Sequence, residues 1–344
     1  MKVAIRADAA LGIGLGHIRR CLSLAHAFRD LRAVVRFFTW QVDVDVRDLV
    51  RAHGFDVTRL GQGAAPGEVA DGALFLDHAA PFRPERIVVD HYGLSAAWHS
   101  MVRSAGLQPL AAIDDIANRA LDVDLLVDPN LCGDHRAKYG VHIGPKTKIL
   151  GGPRFALLGP SYADAPRYVP RPSVEGIGIF MGGTDEANLT EVAMDACRHN
   201  LKFSGSIEIV TTRHNPHLAA LRARVSTEAP TTTLHIDQPD LVRFFARNDL
   251  QVGAGGGATW ERCCIGAPTV VVIAAANQRP SLGSLKQLGA AAPVFAEPPT
   301  SVDIAQALEP LIRSANVRES MSAAAQRVVD GQGAKRVADA VVSL

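Results

Sequence analysis

The chain has 344 residues, more than a single domain usually holds, and points to two domains. Apolar residues make up 47% and charged residues 21%, which excludes a disordered chain and leaves material for large cores. Basic and acidic residues number 36 and 35, a formal charge of +1, so neither nucleic acid nor a membrane surface is expected as a partner.

The five cysteines are Cys21, Cys132, Cys197, Cys263 and Cys264. No pair has C-x-x-C spacing, which argues against a zinc site and against a disulfide framework. The apolar N-terminal run is broken at Arg6 and Asp8, unlike a signal peptide, and no run is long enough to cross a bilayer. The expected setting is the cytoplasm, with the thiols reduced. The sequence leaves the oligomeric state open.

Strand and helix patterns alternate, with glycine turns between them, as in parallel α/β layers. Lys2–Asp8 reads as a buried strand, and a helix follows with apolar residues from Cys21 to Phe28 at helical spacing. Strands are expected at Val34–Trp40, Arg86–Asp90, Leu110–Ile113, Asp124–Asp128 and Thr147–Leu150. Helices are expected around Val46–His53 and from about Ser95. Residues 159–175 are proline-rich and read as a linker. A second run has strands at Gly176–Met181, Ser206–Thr211, Thr233–Ile236, Asp249–Val252 and Pro268–Ile273, with a helix from about Glu186. Helices at about 302–315 and 317–330 and a helical pattern to Leu344 close the chain. The expected architecture is α/β, with Rossmann-like domains at 1–160 and 175–344. The last helix is a candidate to pack back on the first domain.

Two stretches stand out. Gly12-Ile13-Gly14-Leu15-Gly16-His17-Ile18-Arg19-Arg20 sits on the first strand-to-helix turn. Free N–H groups at a helix start favour anions, and a histidine there lies beside a bound phosphate or the atom bonded to it. A dinucleotide turn would need a third glycine at position 17, and His17 fills it. A capped surface histidine is the plainer alternative. The second stretch is Gly255-Gly256-Gly257-Ala258-Thr259-Trp260-Glu261, another helix start, where Glu261 suits the hydroxyls of a ribose or simply the helix dipole. No Walker pattern occurs. Asp8, His17, Asp90, Tyr92 and Asp114 all fall at carboxyl ends of predicted strands, where open parallel sheets bind ligands.

These segments, with Val89-Asp90-His91-Tyr92-Gly93-Leu94, Ile113-Asp114-Asp115, Leu126-Val127-Asp128-Pro129-Asn130, Phe180-Met181-Gly182-Gly183-Thr184-Asp185 and Ala276-Asn277-Gln278, resemble the UDP-sugar hydrolases of the pseudaminic acid pathway. Those enzymes release 2,4-diacetamido-2,4,6-trideoxy-L-altrose from UDP. The resemblance spans nearly the whole chain. It implies the glycosyltransferase-B fold and a metal-independent reaction without a cofactor, in which water attacks the anomeric carbon with inversion. It also implies a place in glycosylation of flagellin or other surface structures. Some members carry a fused acetyltransferase domain, which is not expected here. Ala10 and the Gly257-Ala258 region depart from the serines frequent in the family, which touches ligand detail rather than reaction type.

On this resemblance His17 orients or deprotonates the water, a task that imidazole suits near neutral pH. Asp8, Gly14, Gly16, Arg20, Tyr92, Asn277 and Gln278 are expected around the sugar and phosphates. Gly183, Ile236, Gly255, Gly256, Gly257, Ala258, Thr259 and Glu261 are expected to hold UDP. For Asp8, Asp114 and Tyr92 a structural role stays open. The rival readings are a UDP-sugar-dependent glycosyltransferase of the same fold and a non-catalytic sugar-nucleotide-binding protein.

Overall fold

The computed structural model describes residues 1–10, 14–228 and 230–344. Leu11, Gly12, Ile13 and Ala229 lie outside the described residues, so the first glycine of the His17 turn does too. The chain divides into one unit of Met1–Pro160 with Gln332–Leu344 and a second of Ser161–Gly331.

The first unit is built on a parallel sheet of β1 (Lys2–Ala7), β2 (Val34–Gln41), β3 (Asp56–Gln62), β4 (Arg86–Asp90), β5 (Leu110–Ile113), β6 (Leu125–Asp128) and β7 (Lys148–Gly151). Their order is β3-β2-β1-β4-β5-β6-β7. Val3, Ala4, Ile5 and Ala7 are fully buried, because helices cover both faces of a parallel sheet. On one face Ile18, Leu22, Leu24 and Phe28 of the helix Gly16–Asp30 share a core with Val337, Ala338 and Val341 of the helix Gly333–Val342. On the other face Phe75, Trp98 and Val102 pack against Ile87, Val89 and Ala112.

The second unit repeats the plan with β8 (Gly176–Phe180), β9 (Ser206–Thr211), β10 (Thr232–Ile236), β11 (Leu250–Ala254), β12 (Thr269–Val272) and β13 (Ala292–Val294). Their order is β10-β9-β8-β11-β12-β13. In each sheet the strand order reverses once, between β1 and β4 and between β8 and β11. In open α/β sheets ligands bind at such reversals, at the carboxyl ends of the strands.

Three expectations need correction. The helix expected from Glu186 begins at Leu189. Asp185 and Asn188 take left-handed backbone angles, and the Asp185 carboxylate accepts from Leu189 N (2.8 Å) and Thr190 N (3.0 Å). Residues expected as a linker are part of the second unit: Tyr162 and Tyr168 are buried, and Tyr168 N donates to Ile265 O at 2.8 Å. β3 and the helix Glu68–Ala79 went unpredicted because their alternation is weak; β3 has only Leu60 buried.

Candidate active site

β1 delivers Asp8 to the rim of the first sheet, β4 delivers Asp90, and the helix start delivers Gly16 and His17. Ala7 and Asp90 are register partners, so the turn after β1 lies beside the end of β4. Gly14 takes a φ of 70° and donates its N–H to Ala10 O at 2.7 Å, closing the turn. His17 is only 5% exposed, and its Nδ1 lies 2.5 Å from Asp90 Oδ1. Burial alone would raise the Asp90 carboxyl. The charges of Arg20 and His17 outweigh it and hold the group below the usual carboxylate range. An anionic Asp90 fixes the hydrogen on Nδ1, which leaves Nε2 as the basic nitrogen.

Arg20 grips Asp90 with two bonds, Nε to Oδ2 and Nη2 to Oδ1, each 2.6 Å. Its Nη1 lies 3.4 Å from Asp115 Oδ2. Tyr92 sets its ring edge-on to His17, with centroids 4.5 Å apart, and its hydroxyl donates to Asp115 Oδ1 at 2.7 Å. Burial, reinforced by Asp115, pushes the phenol well above its ordinary range, so it stays a donor. The group holds one arginine against two carboxylates and is one negative charge in excess while His17 is neutral.

Asp8 lies beside this group but is fully engaged. Arg6 pairs with both of its oxygens, Trp40 N donates at 2.6 Å, Thr39 Oγ1 at 3.3 Å, and His91 Nε2 lies 3.3 Å away. Arg6 is itself anchored by Asp71 at 2.6 Å. In this structure Asp8 acts as an internal brace that ties β1, β2 and His91 together. Asp114 fills the structural role left open for it: Oδ1 accepts from Ile116 N and Ala117 N, and Oδ2 from Arg119.

In the second unit, glycine turns follow both strands at the switch point. After β8, Gly182 takes a φ of 97°, and the Thr212 hydroxyl donates to Gly183 O. After β11, Gly255–Gly257 leads into the helix Ala258–Ile265, whose first N–H groups have no side-chain cap. Gln278 leans on Gly255, where a Cβ would come within 2.9 Å of its Oε1, and that oxygen accepts from Ala274 N. Asn277 beside it is exposed, and Ile236 ends β10 half-buried. Glu261 is half-buried in the first helical turn, and its charge acts on Tyr162, whose phenol burial and Glu261 push up. The Thr259 side chain is 2% exposed, and its hydroxyl turns inward to Ala254 O and supports the turn.

No family model matches the chain. Spore coat polysaccharide biosynthesis protein SpsG of Bacillus subtilis is 21% identical over 98% of this chain and 96% of its own length. The UDP-2,4-diacetamido-2,4,6-trideoxy-beta-L-altropyranose hydrolase of Campylobacter jejuni is 25% identical over 64% of this chain and 73% of its own. Among solved structures, Acinetobacter baumannii MurG superposes with a TM-score of 0.70 at 13% identity, covering 100% of this chain and 99% of that one. The UDP co-structure of S. aureus MnaA gives 0.68 at 13% identity, over 99% and 96%. The chain has the glycosyltransferase-B fold.

In this glycosyltransferase-B chain, His17, Arg20, Tyr92 and Gly16 gather at one rim, and Gly183, Gly255–Ala258, Glu261 and Gln278 at the rim of the other sheet. Asp90 was placed at the ligand-binding end of its strand but not as the partner of His17, and Asp115 was given no role. The available signal was an acid ending the strand beside β1, but strand order is not printed in a sequence. Among the described residues no cluster of three or more His, Cys, Asp or Glu is placed to hold a metal. Nor, among them, is any helix long and apolar enough to cross a membrane.

Proposed function

We propose that the chain hydrolyses a UDP-linked 2,4-diacetamido-2,4,6-trideoxy-β-L-altrose, releasing UDP, as a step in pseudaminic acid formation. The observation that carries the reading is the buried His17–Asp90 pair at the β1/β4 switch point. The name of the Campylobacter jejuni relative supports the substrate. In this mechanism Nε2 of His17 takes a proton from water as its oxygen bonds to the anomeric carbon. The bond from that carbon to the β-phosphate oxygen breaks on the opposite face, and its electron pair leaves with UDP. Asp90 stabilises the imidazolium, and the proton then passes to solvent. A base placed in this way contributes typically ~10²–10⁴-fold. UDP rests on the second unit, where amide N–H groups of the glycine turn receive the diphosphate and Glu261 receives the ribose hydroxyls.

A second reading, a glycosyltransferase, is favoured by neighbours such as the calicheamicin glycosyltransferase CalG4, with a TM-score of 0.64. Incubation with the UDP-sugar and no acceptor separates the two. We expect UDP release, persisting in excess chelator. Release only when a sugar or alcohol acceptor is added would favour the transferase, and tight binding without turnover would favour a non-catalytic binder.

A further inference from the structure

Among the described residues three arginines are fully buried: Arg6, Arg262 and Arg318. Arg6 faces two carboxylates, Asp8 and Asp71. Arg318 sends both terminal nitrogens to backbone carbonyls, those of Leu311 and Ile312 from Nη1 and those of Arg171 and Pro172 from Nη2. Arg262 is different. Only its Nη2 is engaged, by Ala254 O at 2.8 Å and Thr259 Oγ1 at 3.1 Å. Its Nε and Nη1 are buried without a hydrogen-bond partner.

Such a guanidinium is costly. Burial draws it down to about 10, against the pull of Cys263, Glu261 and Tyr162, and it remains charged at neutral pH. An apolar side chain of similar volume would fill the place without that cost. Yet the seat is built for the guanidinium. Position 253 is glycine, and any side chain there would collide with Nη1. The Phe245 ring lies 5.9 Å from the guanidinium carbon. Its two hydrogen-bond partners, Ala254 and Thr259, flank the turn Gly255–Gly257. The charge therefore lies behind the glycine turn, where the helix start has no side-chain cap.

We propose that Arg262 is a fixed counter-charge for the diphosphate of the bound nucleotide, acting through the glycine turn without touching the ligand. The inference rests on the nucleotide placement above. In the free protein the pull of Glu261 does not offset the cost of burial; an arriving diphosphate adds to that pull. The turn then adds directional N–H donors to a field that is already positive, and affinity is directed to the phosphates rather than to uridine. Arg262 is in this sense a positioning residue, and the signature of its role is selectivity for phosphate.

The test is calorimetric titration of the full chain with UDP and with uridine, for the wild type, Arg262→Met and Arg262→Lys. Methionine keeps the length and removes the charge; lysine keeps the charge. The Met variant should bind UDP roughly tenfold more weakly, as expected for one charge acting over several ångströms in a partly screened interior. Uridine affinity should not change, the lysine variant should retain most UDP affinity, and the ligand-free Met variant should melt no lower than the wild type. Equal loss in Met and Lys, or parallel loss of uridine and UDP, would mean that Arg262 only shapes the turn, and would overturn the proposal. Unchanged UDP affinity in the Met variant would overturn it too. If the Met variant does not fold, Arg262→Gln against Arg262→Lys gives the same contrast. A wild type that binds neither UDP nor uridine rejects the nucleotide placement itself, and the proposal with it.

Discussion

At the rim of the first sheet, Asp90, Arg20, Asp115, Tyr92 and His17 form one connected chain of charged and polar side chains. At the same place in the second sheet there are glycines, a bare helix start and a single buried cation behind it. The two units share strand plan and switch point, yet one rim is made of side chains and the other mostly of backbone. A side-chain rim with excess negative charge can accept a proton. A backbone rim with positive partial charge can hold an anion at a fixed place. On the proposed function, bond breaking falls to the first rim and nucleotide binding to the second, and substitutions should separate them.

The largest effect expected is at His17. His17→Ala should lower turnover by ~10²–10⁴-fold and leave calorimetric UDP affinity within twofold or so of the wild type. Asp90→Asn should follow the same direction, because it frees the imidazole to take the wrong tautomer. If either variant loses UDP affinity in step with turnover, the division between the rims fails.

The converse change is Glu261→Ala. Losing charge-assisted bonds to ribose hydroxyls should weaken UDP by roughly 1.5–3 kcal/mol, on the order of ten- to a hundredfold, while turnover at saturating substrate stays close to the wild type. A folded Glu261→Ala protein with unchanged UDP affinity would remove this residue from the nucleotide site.

Acid should distinguish the units by stability. His99 on the helix Ala96–Ser104 is fully buried, and neither ring nitrogen has a partner. Burial, helped by Arg119, pulls its pKa from 6.5 down to about 4. The unfolded chain therefore takes up this proton first. The contribution is fully present above pH 6.5 and is lost as pH falls from 6.5 towards 4, reaching about 2 kcal/mol at pH 5. Trp98 lies 5.8 Å from His99, and Trp260 reports on the second unit. Denaturation followed by the emission of Trp40 and Trp98, both in the first unit, in Trp260→Phe should show His99→Phe gaining stability relative to the His99 protein on going from pH 7.5 to pH 5. No pH-dependent difference between the two proteins would show that His99 is not the responsible group.

Much of this was legible in the sequence because the evidence is local. Lys2–Asp8 with its glycines, Arg86–Asp90, and the run Gly255–Glu261 carry strand, turn and helix start within about ten residues each. What was not legible depends on strand order or on partners distant in sequence. Asp90 becomes the partner of His17 only because β4 lies beside β1, a neighbour relation made 73 residues apart. The sequence left Asp8 open between a sugar contact and a structural role, because its pairing with Arg6 on the same strand was not read. Residues two apart share a face, and here that pairing occupies the carboxylate. The inward turn of the Thr259 hydroxyl was not legible from the helix start alone. Arg262 gave no signal, since one arginine in a helix is ordinarily a solvated side chain.

The smallest effect expected concerns Asp115, and it asks whether the first rim acts as one unit. Asp115 touches His17 only through others: its Oδ1 fixes the Tyr92 hydroxyl, and its Oδ2 faces Arg20 Nη1 and, at 3.4 Å, Asn130 Nδ2. Asp115→Asn keeps the volume and weakens both links, so the ring of Tyr92 and the clamp of Arg20 lose a common anchor. Turnover should fall by about tenfold or less, a cost near one hydrogen bond to a charged group, with UDP affinity unchanged. Tyr92→Phe removes the same bond from its other end. If the two residues work through that bond, the double variant is no slower than the slower single variant, because the second substitution has nothing left to remove. Full additivity would mean that Tyr92 and Asp115 serve separate ends, with Tyr92 reaching the sugar directly as the sequence first implied. A loss of UDP affinity in Asp115→Asn would instead join the two rims through a residue assigned here to one of them.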